Sequence, residues 1–314
     1  MNTECIDIVY LWVDGADPLW QAQRLEAQKL HNGIMLHHPV ARYGDVGGRY
    51  RDNGELRFNL RALERFFPAH GHIYIITDGQ TPAWLQVKEG LTLIHHRELM
   101  LASALPVFDS GHIESYLHHI PNLSERFFYL NDDTFFGAPV DINLWFSDSG
   151  VAVFTDDPTL TDHKELRESK LVCDWWAARY PIGKYRDRVF AHSPRAFFKS
   201  MLYDIENAAP ELFADVRSTV FRSGKVPSLV ADFIPLWMLE TNQALVRNVE
   251  SMHISSSNAN VERNFQNLAN NFGNLVFFCV NDTSDNAHST APELQMISHY
   301  LEKMLPTPSY FEKT

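Results

Sequence analysis

Acidic side chains follow short apolar segments of this sequence, at the points where two of those segments end. Asp132 and Asp133 come directly after the run 126–130, and Asp282 follows the run 275–280. Adjacent carboxylates repel each other and are costly to bury without a counter-ion. Taken alone, the pair is most simply a solvated turn, but acids gathered from separate strand ends are the oxygen ligands that Mg²⁺ and Mn²⁺ prefer. We therefore treat Asp132, Asp133 and Asp282 as candidate metal ligands.

Other polar side chains could act on a phosphorylated ligand, although each also has an ordinary structural explanation. His192 precedes Ser193-Pro194, which predicts the start of a helix, and a helix N-terminus beside a titratable base can gather an anion. Arg222 has apolar neighbours and is either a structural fork to a carbonyl or carboxylate, or a phosphate clamp. The run 49–53 is either a solvated face or a set of phosphate ligands. Glu114 alone would be taken for a surface acid.

Histidine pairs and common motifs give no alternative site. His95-His96 and His118-His119 match no zinc-ligand spacing, and we interpret them as structural. The sequence contains no GxxxxGKS/T, GxGxxG or GxSxG motif, which excludes the P-loop, dinucleotide-binding and α/β-hydrolase interpretations. A net charge of −12 and a pI near 5.6 argue against a nucleic-acid partner bound through a basic surface.

Cysteine usage and hydropathy indicate the compartment. Cys5, Cys173 and Cys279 are widely spaced and form no CxxC pattern, which fits a reducing cytosol better than a disulfide scaffold. The first residues show no signal-peptide pattern, and no run approaches about eighteen apolar residues. The sequence therefore predicts a cytoplasmic protein, with peripheral attachment to the inner face of the cell membrane left open.

The elements that must position these residues alternate between strands and helices. Short β-branched and aromatic runs without polar alternation are typical of strands buried on both faces of a parallel sheet. We therefore predict an α/β fold with a mainly parallel nucleotide-binding core, of GT-A or Rossmann-like type, and a helical insertion. In such sheets ligands bind beyond the carboxyl ends of the strands. The predicted strands are 6–13, 72–77, 127–130, 151–155 and 275–280, and the predicted helices are 55–67, Ser193-Pro194 to about 209, and 293–305.

The domain organisation follows from the same pattern. A chain of 314 residues with 45% hydrophobic composition can bury a large core, and we predict one catalytic domain over 1–314. Its core is expected at approximately 1–157 and 188–290, with the helical elaboration at approximately 158–187 and 224–270. The stretch 42–53, rich in Gly and Arg, predicts a surface loop before a helix.

Four blocks of the sequence resemble the conserved blocks of the stealth proteins, in the order in which that family has them. The first is Ile6–Pro18, with its Trp-Val-Asp-Gly segment, and the second extends from Arg49 to Asp133. The third runs from His192 to Ser223 and the fourth is Phe278–Asp282. The match is too specific for chance. The animal members have Asn at the position of Asp14, so this residue favours the bacterial branch.

Stealth proteins include bacterial capsular and exopolysaccharide phosphotransferases, and the catalytic core of the animal phosphotransferase that tags lysosomal enzymes with N-acetylglucosamine-1-phosphate. The resemblance implies transfer of a hexose- or N-acetylhexosamine-1-phosphate from a UDP-sugar to a glycan hydroxyl. UMP would leave, and a phosphodiester would form in a capsular or cell-surface polysaccharide. It further implies Mg²⁺ or Mn²⁺ as cofactor, a growing polysaccharide or oligosaccharide as acceptor, and other capsule-synthesis proteins at the membrane as partners.

The resemblance also assigns roles to individual residues. We take His192 as the base on the acceptor hydroxyl and Arg222 as the group that stabilises charge on the attacked phosphate, whereas Glu114 either orients His192 or contacts the sugar. The positions that match the family's essential residues are Glu114, Asp133, His192, Arg222 and Asp282. The positions expected to contact the nucleotide-sugar are Trp12, Asp14, Gly15, Arg49, Arg51, Asp52, Asn53, Arg57 and Asp78.

Three other functions would use similar residues. A Leloir-type glycosyltransferase would share the acidic rim but would release UDP. A metal-dependent phosphodiesterase or nuclease would share the acids and the histidine, with water in place of the acceptor. A module that only binds sugar nucleotides or polysaccharide would not need Asp133, His192 and Arg222 together. The nucleotide released from a UDP-sugar distinguishes these possibilities.

Overall fold

The computed structural model of the chain describes residues 5–34, 47–156, 163–181, 183–185, 188–284 and 291–313. The strands are β1 (Ile6–Leu11), β2 (Ile73–Thr77), β3 (Leu91–His95), β4 (Arg126–Asn131), β5 (Thr134–Phe136), β6 (Phe146–Ser147), β7 (Gly150–Asp156), β8 (Val189–Phe190), β9 (Arg195–Phe198), β10 (Ala244–Arg247), β11 (Ser251–Ser255) and β12 (Phe277–Asn281).

The helices lie between these strands. They are α1 (Pro18–Ile34), α2 (Glu55–Phe66), α3 (His96–Leu99), α4 (Ser110–Glu114), α5 (Ile142–Trp145), α6 (His163–Ala177), α7 (Lys199–Ala208), α8 (Pro210–Val216), α9 (Ile234–Glu240), α10 (Val261–Asn271) and α11 (Pro292–Met304). Short 3₁₀ segments occur at Gly47–Tyr50, Ala102–Ala104 and Leu117–His119, and a π-helical turn at Leu229–Phe233 runs into α9.

The central sheet has the strand order β3-β2-β1-β4-β9. Strands β1 to β4 pair in parallel, and β9 pairs antiparallel with β4. The residues of β1 and β2 are apolar in nearly every position and almost all buried, as expected for strands covered on both faces. The predicted α/β fold with a mainly parallel core is therefore confirmed.

Two of the five predicted strands lie outside the central sheet. Strand β7 pairs with β10, β6 and β8, while β12 pairs with β11 and β5 in a three-stranded sheet. This small sheet still reaches the end of β4, because β5 follows β4 after a tight turn and runs antiparallel to β12. The carboxyl ends of β4 and β12 therefore approach each other from two different sheets.

Helix α2 covers the central sheet, with Leu56, Leu60 and Leu63 fully buried. Its bounds, Glu55–Phe66, agree with the predicted helix 55–67, and α11 agrees with the predicted helix 293–305. An apolar stripe at helical spacing identifies such helices reliably because one face must be buried.

The predicted helix start at Ser193-Pro194 is wrong. Residues Arg195–Phe198 instead form β9, and the helix begins at Lys199. Pairing with β4 buries Phe197 completely and gives this edge strand four registered partners. The sheet edge therefore overrides the local Ser-Pro signal, and His192 precedes a strand rather than a helix N-terminus.

The segment 224–270, predicted to be helical, contributes strands as well as helices. It includes α9 and α10, but β10 pairs with β7 and β11 pairs with β12. Both strands are short and half-buried, so their apolar pattern is weak. Of the predicted surface loop 42–53, residues 42–46 lie outside the described residues, and within the remainder Gly48 and Tyr50 are buried.

Among the described helices, none is both long and apolar enough to cross a membrane.

Candidate active site

Two glycines allow three chain segments to meet at one place. The amide of Gly15 donates to the carbonyl oxygen of Tyr50 at 2.6 Å, and a Cβ on Gly15 would lie 2.3 Å from that oxygen. A Cβ on Gly48 would lie 2.7 Å from the carbonyl oxygens of Asp282 and Ser284. Such distances exclude any side chain, so the backbone can approach closely only because both residues are glycine. Three segments are therefore packed directly together: the loop 12–17 between β1 and α1 (the first loop), the segment 47–53, and the end of β12.

The first loop is also tied to the end of β2. The amide of Asp14 donates to Oε1 of Gln80 at 2.9 Å, and Nε2 of Gln80 donates to the Asp14 carbonyl at 2.9 Å. Trp12, at the end of β1, is buried, and its amide donates to the carbonyl of Ile76. Asp78 directly follows β2, and its Oδ1 lies 3.5 Å from Nδ1 of His96. Four predicted nucleotide-sugar positions, Trp12, Asp14, Gly15 and Asp78, thus share one edge of the sheet.

Asp282 is held by a network of donors from the segment 47–53 and its own strand end. Its Oδ2 forms an ion pair with Nη1 of Arg51 and accepts a hydrogen bond from Asn53 at 3.3 Å. Its Oδ1 accepts from Oγ of Ser256 at 3.0 Å and from the amide of Ser284 at 2.9 Å. The Asp282 side chain is only 3% exposed, so these bonds replace the water that it loses.

A second group of carboxylates lies at the end of β4, and its member Asp132 has other acids as its strongest charged neighbours. Loss of hydration raises the pKa of Asp132 well above its usual range, and the nearby Glu55, Asp133 and Asp52 raise it further. Burial raises the pKa of Glu55 to about 8, although hydrogen bonds from Asn53 oppose the shift. Burial likewise raises the pKa of Asp52. Four carboxylates crowded in this way are stabilised either by protons or by a cation.

Helix α2 supports the turn that carries these acids. Nδ2 of Asn59 donates to the carbonyls of Asp132 at 3.0 Å and Thr134 at 2.7 Å, and Oδ1 of Asn59 accepts from Tyr10 at 3.0 Å. Across the turn, the amide of Val280 donates to the carbonyl of Asp133 at 2.9 Å. The backbone of Asp132 and Asp133 is therefore fixed from both sides.

Glu114, at the end of α4, is 8% exposed and lies among positive groups. Its Oε1 accepts from the Tyr129 hydroxyl at 2.9 Å. Burial raises the pKa of Glu114, while the Tyr129 hydrogen bond and the charges of Arg222 and Arg49 lower it. Glu114 is thus a buried acid whose neighbouring cations come from two distant segments.

Arg49 also lies near Asp133, which connects the two halves of the site. Burial raises the pKa of Asp133, whereas the nearby His192 and Arg49 lower it. Arg49 therefore lies near both Glu114 and Asp133. Arg222 is a second neighbour of Glu114, and the imidazole of His192 is a second neighbour of Asp133. Four of the five residues expected to be essential are brought into one electrostatic network.

The segment before Arg222 is anchored by a small apolar cluster that includes Phe108 and Phe221. Phe221 stacks on Phe108 with ring centroids 5.2 Å apart, and the amide of Phe108 donates to the carbonyl of Val220 at 2.7 Å. Oγ1 of Thr219 donates to Asp109, the N-cap of α4, at 2.7 Å. These contacts fasten the segment before Arg222 to the helix that carries Glu114.

The predicted metal ligands are only partly brought together. Among the described residues, the groups of three or more side chains whose His, Cys or carboxylate ligand atoms lie within 4.8 Å of one another are His192/His253/Cys279 and His118/His119/Glu206. The set Asp132, Asp133 and Asp282 is not one of them, and Asp282 is paired with Arg51. Asp132 has Asp133, Asp52 and Glu55 as acidic neighbours, and carboxylate oxygens are the donors that a hard divalent cation prefers, although these carboxylates do not form one of the close groups either.

Arg57 is bound to the C-terminal segment. Its Nε donates to Oε2 of Glu312 at 2.5 Å, and Arg61 binds the same carboxylate through Nε at 2.6 Å. The C-terminal segment is thereby clamped onto α2. Arg57 also borders an open cavity of about 670 Å³ lined by Asp52, Asn53, Trp84 and residues of α11.

Sequence reasoning missed Glu55, Asn59, His253 and Cys279. Glu55 resembles an ordinary acid in the first turn of a helix, where the dipole favours it, so nothing sets it apart. His253 and Cys279 become neighbours only through strand pairing between β11 and β12. Asn59 on the buried stripe of α2 was the one available signal, because a buried amide needs hydrogen-bond partners.

Three stretches of the chain match conserved regions of one protein family. Residues 5–29 match stealth protein conserved region 1, residues 49–154 match conserved region 2, and residues 275–314 match conserved region 4. These stretches contain the first loop, residues 49–53 with the end of β4, and Asp282.

Individual relatives point the same way. The chain is 31% identical over 319 residues to the exopolysaccharide phosphotransferase CpsY of Mycobacterium leprae, covering 98% of this chain and 57% of that protein. It is 38% identical over 164 residues to a capsular polysaccharide phosphotransferase of Actinobacillus suis, covering 51% of this chain and 43% of that protein. The chain thus spans only part of each relative's length. The solved galactosyltransferase LgtC, with donor and acceptor sugar analogs, aligns with 97% of this chain and 98% of its own at 10% identity and a TM-score of 0.46, too weak a likeness to carry an inference.

Proposed function

Since the chain belongs to the stealth family, we propose that it transfers a sugar-1-phosphate from a UDP-sugar to a hydroxyl of a glycan acceptor. The sugar would be a hexose or N-acetylhexosamine, and the product a phosphodiester in a capsular or cell-surface polysaccharide. The names of the two relatives, an exopolysaccharide and a capsular polysaccharide phosphotransferase, support this class of reaction.

The reaction requires attack on the phosphate that carries the sugar. The acceptor oxygen forms a bond to the β-phosphorus while the bond from that phosphorus to the bridging oxygen breaks. UMP leaves with the bridging oxygen and the electron pair of the broken bond, and the acceptor proton passes to a base. Catalysis of such a step depends mainly on positioning and on neutralising the phosphate charge.

The observation that carries the proposal is the network centred on Arg49. Arg49 lies near both Glu114 and Asp133, with Arg222 beside the first and His192 beside the second. Guanidinium groups are suited to hold a phosphate, and an imidazole near the same acids is suited to accept a proton. His192 is accordingly our proposed base, and Arg222 and Arg49 are the proposed phosphate ligands.

Glu114 is better suited to position Arg222 than to orient His192. It is buried, bonded to the Tyr129 hydroxyl and close to Arg222, and its largest charge interaction is with that arginine. We therefore propose that Glu114 fixes the guanidinium that faces the phosphate. The alternative contact of Glu114 with the sugar predicts a change in sugar selectivity when Glu114 is replaced by Gln.

Asp132 and Asp133, with Asp52 and Glu55 beside them, would hold Mg²⁺ or Mn²⁺. A bound divalent cation would neutralise the diphosphate and relieve the repulsion among these carboxylates. Asp282 would act through Arg51 and Asn53, keeping the segment 47–53 against the end of β12.

The identity of the released nucleotide tests the proposal. The protein is incubated with candidate UDP-sugars, Mg²⁺ and oligosaccharide acceptors, and the nucleotides are separated by chromatography. UMP that appears only with acceptor supports phosphotransfer. UDP would instead identify a Leloir-type glycosyltransferase, and acceptor-independent UMP a phosphodiesterase. An Arg222→Lys variant, which keeps the charge but loses the planar fork, tests the proposed phosphate ligand and should release UMP much more slowly.

A further inference from the structure

His192, His253 and Cys279 bring three metal-ligating atoms together beside Asp133. One ligand atom from each side chain lies within 4.8 Å of the others. The rings of His192 and His253 are stacked, with centroids 4.6 Å apart and planes 28° from parallel. Loss of hydration raises the pKa of the Cys279 thiol, and the neighbouring Asp133 raises it further, so carboxylate and sulfur are adjacent.

Strand pairing makes this arrangement rigid. His253 on β11 is in register with Cys279 on β12, and Cys279 is in register with Thr134 on β5. Registered residues of neighbouring strands point to the same face of a sheet. The imidazole, the thiol and the residue after Asp133 therefore form a row across the three-stranded sheet, and His192 covers that row from the segment before β9.

The donor set differs from that of the carboxylate group beside Asp132. Two imidazoles and a thiol suit borderline-soft ions such as Zn²⁺, whereas carboxylates and water suit Mg²⁺. Three protein ligands also leave one tetrahedral position for water or a phosphate oxygen. His253 is exposed on the outer strand of its sheet, which gives an ion access to the buried Cys279.

The second such group in the described residues has a guanidinium beside it. Both His118 and His119 donate to Oε2 of Glu206, the latter at 2.8 Å, and the other carboxylate oxygen pairs with Arg217. Both histidines and the carboxylate therefore already have hydrogen-bond or ion-pair partners, and the Arg217 guanidinium would repel a cation. Hydrogen bonding therefore explains the second group without a metal.

We propose that His192, His253 and Cys279 form a site for a Zn²⁺-like divalent cation, with a donor set different from that of the adjoining proposed Mg²⁺ site of Asp132 and Asp133. Binding would displace the thiol proton to solvent and engage the imidazole of His192. If His192 is the base, as the proposed function holds, Zn²⁺ occupying this site would compete with catalysis. The binding site itself does not depend on that function.

Co²⁺ is the probe that tests the site without any substrate. Metal-free protein, prepared by chelation, is titrated with Co²⁺ and its absorption recorded. Coordination by a thiolate produces an intense near-ultraviolet charge-transfer band that sites made only of imidazole and carboxylate lack. We expect this band to saturate at one equivalent and to disappear when Zn²⁺ is added.

Matched variants assign the ligands. The band should be lost in Cys279→Ser. The Co²⁺ affinity should fall by more than roughly tenfold in His253→Ala. Because His253 is exposed, this second variant keeps the assignment testable if Cys279→Ser folds poorly. Cys173→Ser and His119→Ala should behave like the native protein. Absence of the band in native protein, its persistence in Cys279→Ser, or its loss in either control would overturn the proposal.

Discussion

Two acids of the same site, Asp282 and Asp132, are stabilised in opposite ways. Asp282 has an arginine, an asparagine amide, a hydroxyl and a backbone amide around its carboxylate. Asp132 has Glu55, Asp133 and Asp52 as its strongest charged neighbours, and all of them raise its pKa. The difference separates an acid whose charge is already compensated within the chain from acids that need an external cation. We infer that Asp282 holds the site together and that the acids around Asp132 bind a divalent cation.

The largest effect is expected from Asp133, which lies beside Asp132 and near Arg49 and His192. Asp133→Asn should lower turnover by on the order of a hundredfold or more, because it removes charge where metal and phosphate would meet. Its melting temperature should stay level or rise, since burial of that charge is unfavourable. Steady-state kinetics and thermal unfolding on the same preparation provide the check.

Asp148→Asn is the matched control for this prediction, because Asp148 is an exposed acid in the turn before β7. Asp148→Asn should change neither the turnover nor the melting temperature. Near-native turnover in Asp133→Asn would place the reactive centre elsewhere.

The compensated acid should behave differently when its partner is removed. Arg51→Met leaves the buried Asp282 without its cation and should reduce the free energy of unfolding by about 3 kcal/mol. The double variant Arg51→Met/Asp282→Asn should recover a large part of that loss, because no unpaired charge is left. Urea denaturation of the two single variants and the double variant measures the coupling. Simple additivity would show that the ion pair does not hold the segment 47–53.

A smaller effect concerns pH and Glu55. Because its pKa is about 8 in the folded protein and 4.5 as a free side chain, folding favours the protonated form. This contribution is complete below pH 4.5 and is lost as the pH rises towards 8. Thermal stability should therefore fall over this interval, and less steeply in Glu55→Gln. Mg²⁺ should raise the melting temperature more at pH 8 than at pH 5, and an equal effect at both pH values would contradict a cation site here.

The smallest effect is expected at Arg57, which belongs to neither acid group. Its partner is Glu312, and 39% of its side chain is exposed. Arg57→Gln should cost about 1 kcal/mol of stability or less and leave the KM for the UDP-sugar unchanged. A raised KM with native stability would restore the nucleotide contact that the sequence suggested.

The parts of the fold that sequence predicted well are those with a single dominant physical signal. β1, β2 and β4 are continuous apolar runs, and α2 has a clear apolar stripe. β9 has only four residues, too few for a period, and its existence depends on pairing with β4. Local capping chemistry at Ser193-Pro194 could not compete with that non-local burial.

The candidate site, too, could be predicted only where a local sequence signal exists. Its acids could be found because carboxylates at the ends of apolar runs are unusual and need an explanation. Their partners could not, since Arg51 meets Asp282, and Arg49 meets Glu114 and Asp133, only after distant segments have packed. Nothing in the spacing of His192, His253 and Cys279 along the chain predicts their contact.

The close approaches at Gly15 and Gly48 affect how mutational scans of this protein should be interpreted. Alanine is usually the mildest replacement, but here a single methyl group would collide with backbone oxygens that have little freedom to move. A scan that ranks positions by lost activity would therefore score these two glycines alongside the reactive residues. Neither offers a side chain to a substrate, so high sensitivity at these positions would report the fit of one loop against another.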